Sequence, residues 1–150
     1  MSSSTSRAFE TQRENSLRFL VDTNILISAA LFPSGKVAVV FSHILESHTL
    51  VISSYSLSEC TTVFAKKFPD KKVALEAFLK ETHFELYQTA QEIKKADFPS
   101  IRDSKDLPIL ASAILAEVDI LLTGDKDFQG LSLKRPLVFS PSAYFDLIQN

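Results

Sequence analysis

The feature that most constrains this chain is a series of short apolar runs, each followed by a segment of helical periodicity. The first is Leu17–Val21, whose Phe19-Leu20-Val21 core has strand-forming character and ends at Asp22. Thr49–Ile52, Phe84–Tyr87, Ile120–Thr123 and Leu137–Phe139 read as four more strands. Helices are expected over Asn24–Leu31, Lys36–Glu46, about Leu57 to Phe68, Asp70–Thr82, Leu107–Glu117 and Ser142–Ile148. Phe32-Pro33-Ser34-Gly35 separates the first two, and Pro69 stops the third. Ala90–Ala96 reads as a helical turn or two, and Gly124–Gly130 as a loop. Apolar strands separated by helices predict an α/β fold, its parallel sheet covered on both faces.

A chain of 150 residues, 45% hydrophobic, suffices for one domain with a real core. The expected organisation is a disordered tail over residues 1–16 and a single domain over 17–150. The tail is rich in Ser and Thr and lacks the apolar stretch of a secretory signal; Glu10 and Glu14 argue against a transit peptide. No apolar run is long enough to span a bilayer. The lone Cys60 allows no intramolecular disulfide. A cytoplasmic protein is expected. The formal net charge of −2 gives no global attraction to nucleic acid, so any such contact must come from a local basic patch.

Four acids share a placement relative to the sheet: Asp22, Glu59, Asp106 and Asp125. Asp22 and Asp125 follow strands at their carboxyl ends, the edge where open α/β sheets bind ligands. Each acid also fits a local task. Asp22 suits an Asx-turn or an N-cap. Glu59 stands three residues after Ser56, the spacing of a capping box, and that spacing alone favours the capping role. Asp106 suits the N-cap of the helix opened by Leu107-Pro108, work that Asp103 could share. Asp125 and Asp127 suit turn positions. Taken together, four carboxylates in one cleft repel one another and call for protons or cations. Oxygen ligands without nearby histidine favour Mg²⁺ or Mn²⁺ over zinc. Such a site suits hydrolysis of a phosphodiester.

The segments Leu20-Val21-Asp22-Thr23-Asn24, Glu59, Arg102-Asp103-Ser104-Lys105-Asp106-Leu107-Pro108 and Leu122-Thr123-Gly124-Asp125-Lys126-Asp127-Phe128 resemble the PIN-domain family in order and spacing. The resemblance runs from about Leu17 to Ile148 and is strongest to bacterial toxins of toxin–antitoxin pairs. It implies a three-layer α/β/α fold with a five-stranded parallel sheet, metal-dependent ribonuclease activity, frequent homodimers and a small antitoxin partner. It also implies that Asp22, Glu59, Asp106 and Asp125 are the catalytic, metal-binding acids, with Asp22 and Asp125 holding the principal ion. Thr23, Asn24 and Thr123 match polar positions around them. Arg102, Lys105 and Lys126 flank the acids and suit contact with the phosphates of an RNA substrate. The denser group Lys66, Lys67, Lys71 and Lys72 reads as a solvated face.

Competing readings are weaker. A Rossmann enzyme needs a glycine-rich turn after the first strand, and none is present. A haloacid-dehalogenase-like phosphohydrolase needs a second Asp where Asn24 stands. A receiver module needs an Asp after the third strand, and Phe84–Gln88 offers none. Cys60 reads as a small buried helix residue and not as a nucleophile. The non-enzymatic alternative is a PIN-like module that binds RNA or a protein without cutting it.

Overall fold

The computed structural model describes residues 16–149. The expected tail therefore falls, Ser16 apart, outside the described residues, as does Asn150. Five parallel strands form one sheet: β1 (Arg18–Val21), β2 (Thr49–Ser53), β3 (Glu85–Tyr87), β4 (Ile120–Leu122) and β5 (Leu137–Phe139), in the order β3-β2-β1-β4-β5. The helices are α1 (Thr23–Leu31), α2 (Lys36–Ser47), α3 (Ser54–Lys67), α4 (Lys72–Glu81), α5 (Leu107–Leu115), α6 (Lys126–Gln129) and α7 (Pro141–Gln149).

Strand alternation divides the core into two layers. Phe19, Val21, Leu50, Ile52, Ile120 and Leu122 point to one face, where they meet Leu26 of α1, Val40 and Ile44 of α2 and Phe64 of α3. Leu20, Val51 and Leu121 point to the other, against Leu110 and Ala113 of α5 and Phe128 of α6. Both faces of the central strands are covered, which is why these strands read as continuous apolar runs. The result is the expected three-layer α/β/α architecture.

The chain walks outward from β1 to β2 to β3, then returns through α5 to place β4 on the other side of β1. The reversal opens a crevice at the carboxyl ends of β1 and β4, where open sheets of this kind bind ligands. Val21 pairs with Leu122, and the Asp22 amide donates to the Leu122 carbonyl at 3.2 Å. Asp22 is thereby fixed beside Thr123.

Three local expectations are corrected. Helix α3 begins at Ser54, not near Leu57, because buried Ser53 is its N-cap and accepts from the Ser56 amide at 3.1 Å. Ser56 lies inside the helix and does not cap it. The segment over Ala90–Ala96 is irregular except for a 3₁₀ turn that starts at Lys95 (Lys95–Asp97). The expected loop Gly124–Gly130 contains α6, with Asp125 as its N-cap. Among the described residues no single helix is long and apolar enough to cross a membrane.

Candidate active site

The crevice holds a cavity of ≈ 270 Å³ whose walls include Asp22, Thr23, Asn24, Glu59, Asp103, Lys105, Asp106 and Asp125. All four acids singled out above therefore line one space. They arrive from four places: the end of β1, the second turn of α3, the entry to α5 and the loop after β4.

Each carboxylate is held differently. Asp22 is 5% exposed, so both of its oxygens need partners. Oδ1 accepts from the Ile25 amide at 2.9 Å, capping α1, and Oδ2 accepts from the Thr123 hydroxyl. Burial still pushes its pKa up, against the hydrogen bonds from Thr123 and Ile25. Glu59 accepts from the Thr23 hydroxyl at 2.8 Å. The same hydroxyl lies 3.1 Å from Ser56 Oγ, so Ser56 supports Glu59 from below and not by a capping box. Asp125 Oδ1 accepts from the Asp127 amide at 2.9 Å, and its own amide donates to Thr123 Oγ1 at 3.1 Å. Thr123 thus joins the two acids at the strand ends.

Asp106 differs from the other three. It stands at the N-cap position of α5, yet makes no side-chain capping bond. Asp103 performs the local work, accepting from the Lys105 amide at 3.0 Å. Asp106 Oδ2 is buried with no hydrogen-bond partner among the described residues. Its pKa is pushed up to about 7, first by burial, then by the charge of Asp125 and by a hydrogen bond that neutral Asp106 donates to it. Tyr55, beside these acids, is pushed up to about 12 by burial and by the Glu59 charge.

The tightest acidic group among the described residues is Asp106, Asp125 and Asp127, with one carboxylate oxygen of each within 4.8 Å of the others. The sequence reading preferred Asp125 to Asp127; the structure brings both to Asp106. Asp127 is also paired with the exposed Arg102 guanidinium at 3.2 Å. Of the two serines beneath the site, the sequence reads only Ser56, as a cap, and Ser53 carries no signal of its own.

The donor set fits a hard divalent cation. It consists of carboxylate oxygens, one of them buried and, among the described residues, unpartnered, and among those residues no histidine or cysteine lines the cavity.

Residues 18–127 match the PIN domain family model. The chain belongs to the PIN domain family. Among solved structures, this PIN domain is similar to a chain of VapBC2 from Rickettsia felis bound to a DNA fragment from their promoter. The two share 19% identity over 83% of this chain and 98% of that one, with a TM-score of 0.63, a likeness of fold. No curated protein matches the chain.

Proposed function

We propose that this PIN domain is a metal-dependent endoribonuclease, the toxin of a toxin–antitoxin pair, acting with Mg²⁺ or Mn²⁺ in the cytoplasm as a single domain over 17–150. The observation that carries this reading is the convergence of Asp22, Glu59, Asp106 and Asp125 on one cavity, with an Asp106 oxygen left unpartnered. Asp22 and Asp125 would hold the principal cation, and Glu59 and Asp106 would complete the pocket or orient the attacking water. A bound divalent cation supplies Lewis acidity, polarising a phosphoryl oxygen and lowering the pKa of water.

The chain's own groups do the remainder. Thr123 and the Ile25 amide fix both oxygens of Asp22, so its carboxylate needs no reordering at the moment of reaction. Thr23 fixes Glu59 in the same way. Lys105 on the cavity wall meets the phosphates of the substrate, joined by Arg102, which pairs with Asp127, and by Lys126, which follows Asp125 in the chain.

The family and the VapBC2 fold likeness support the toxin reading and an antitoxin partner. A homodimer is proposed as well. It is supported by the exposed Val39 and Leu45 on α2 and Val73 on α4, which leave apolar surface uncovered in one copy. Sedimentation showing only monomer at micromolar concentration would remove it.

The decisive experiment is cleavage of RNA by the purified protein. Cleavage is expected in Mg²⁺ or Mn²⁺ and not in EDTA, and is expected to vanish in Asp22→Asn. Cleavage that survives chelation, or none by the metal-loaded wild type, would refute the reading.

A further inference from the structure

A second, larger groove opens next to the acid cavity. It has a volume of ≈ 560 Å³, within the ~300–1,000 Å³ range typical of ligand sites. Glu59 and Val63 line both spaces, so the groove continues the acid cavity and is not a separate site. Its other walls are Ser54, Tyr55, Ser58, Thr62 and Thr89, all bearing hydroxyls, and among the described residues no Lys or Arg lines it. That lining suits ribose and base better than phosphate, which needs positive charge or a cation.

Helix geometry produces this surface. Tyr55, Glu59 and Val63 follow one another at i, i+4 and i+8 along α3, and Ser58 and Thr62 form the adjacent i, i+4 row. The far wall is held in place: the Thr89 amide donates to Ser54 Oγ at 2.9 Å, and Thr89 Oγ1 accepts from the Tyr55 amide at 3.3 Å and meets Ser112 Oγ at 3.2 Å. Tyr55 packs on the core beneath the sheet, while its hydroxyl donates to the Lys105 carbonyl at 3.3 Å. Its ring is thus anchored at both ends, with its remaining surface in the groove. The exposed Ser58 and Thr62 hydroxyls are left for a ligand.

We propose that this groove seats one unpaired ribonucleotide beside the phosphate held at the acid cavity, Tyr55 stacking on its base and Ser58 and Thr62 bonding its 2′-hydroxyl. The proposal rests on the nuclease reading above and assigns Tyr55, Ser58 and Thr62 as the residues that seat the nucleotide. Single strands are recognised by aromatic stacking, and the 2′-hydroxyl, donor and acceptor at once, separates RNA from DNA. A duplex cannot splay a base into the groove without unpairing it.

The test compares the full-length wild type with Tyr55→Phe, Tyr55→Leu, Thr62→Leu and Ser58→Ala/Thr62→Val, each first checked for an unchanged thermal melt. Two readouts are taken: cleavage kinetics in Mn²⁺, and anisotropy of a labelled single-stranded RNA and its all-deoxy counterpart with each substitution placed in an Asp22→Asn background. Tyr55→Leu is expected to raise KM and weaken RNA binding about tenfold with kcat nearly unchanged, and Tyr55→Phe to restore both. Thr62→Leu, at an exposed position where folding is not at stake, is expected to narrow the groove and raise KM likewise. The double variant is expected to lose the preference for RNA over DNA. Wild-type cleavage with KM and binding unmoved by these substitutions would overturn the groove and leave the nuclease reading standing. RNA binding that these substitutions weaken, without wild-type cleavage, would overturn the nuclease and leave the groove as an RNA site. Neither binding nor cleavage would overturn both.

Discussion

Replacing Asp106 by Asn should stabilise the metal-free protein at neutral pH and destabilise it, relative to wild type, once metal is added. In the fold the Asp106 pKa is raised to about 7; in an unfolded chain it lies near ~3.9. Between these values the folded state binds more protons than the unfolded one, so stability falls as pH rises from about 4 to about 7. A gap of about three pKa units corresponds to about 4 kcal/mol for a group fully shielded from water. Asp106 is only half-buried, and solvent screening reduces this to about 1–2 kcal/mol. Asn carries no charge and escapes the loss. In EDTA, Asp106→Asn should match wild type near pH 4 and exceed it by about 1–2 kcal/mol at pH 8, or roughly 2–4 °C in Tm per kcal/mol. At ~100 times the dissociation constant of Mn²⁺, wild type should gain about 2.7 kcal/mol and the variant much less, reversing the order. Urea titrations from pH 4 to 8, with EDTA or Mn²⁺, measure both. Parallel pH profiles of the two proteins in EDTA would refute the raised pKa. An equal Mn²⁺ gain would refute Asp106 as a ligand.

Asp22→Asn should leave the metal-free Tm unchanged or higher, because its amide oxygen still accepts from Ile25 and burial no longer opposes a charge; it should abolish the Mn²⁺-induced shift, which melts with and without the ion will show. Thr123→Val should cost about 1–3 kcal/mol by leaving the buried Asp22 oxygen unsatisfied, and weaken metal affinity about 10–100-fold, measurable by denaturation and by calorimetric Mn²⁺ titration. Ser53→Ala should cost about 1 kcal/mol through loss of the α3 cap, and a neutral result in urea would show that the helix does not depend on it.

The sheet was legible because its central strands alternate between two covered faces and so remain apolar throughout. Its edges were legible too, Leu137–Phe139 to the residue and Phe84–Tyr87 one residue too long, although both edge strands are short and leave Leu86 and Leu137 exposed. The start of α3 was missed because Ser53-Ser54-Tyr55-Ser56 offers three serines as caps, while helical apolar spacing begins only at Leu57. That error shaped the reading of Glu59: with Ser56 as cap, the carboxylate has a local partner, whereas with Ser53 as cap it turns to Thr23. Both acids of Gly-Asp-Lys-Asp read as turn residues, and Asp125 is preferred to Asp127 because it stands at the carboxyl edge of the buried strand. The single turn of α6 carries Asp127 back towards Asp106 as well.

Capping and ligand positions coincide in this fold for a physical reason. A helix leaving the carboxyl end of a parallel strand presents unpaired amides to the same crevice that a cation and a phosphate would occupy, so one acid satisfies both needs. The sequence cannot separate the two roles, because it shows the residue and not how its lone pairs are used. A carboxylate has about four acceptor sites. Asp22 commits one oxygen to Ile25 and the other to Thr123 and still faces the cavity, while Asp125 and Asp103 each commit one oxygen to an amide two residues on. Asp106 is the exception, and its backbone says why. At φ −85° and ψ −12° it is already helical, whereas capping side chains reach their amides from extended backbone, as Asp22 does at φ −79° and ψ 173°. Held in that conformation, Asp106 contributes no cap and leaves a buried oxygen unpaired. Under the nuclease reading proposed above, that oxygen would face the cation whose principal ligands are Asp22 and Asp125.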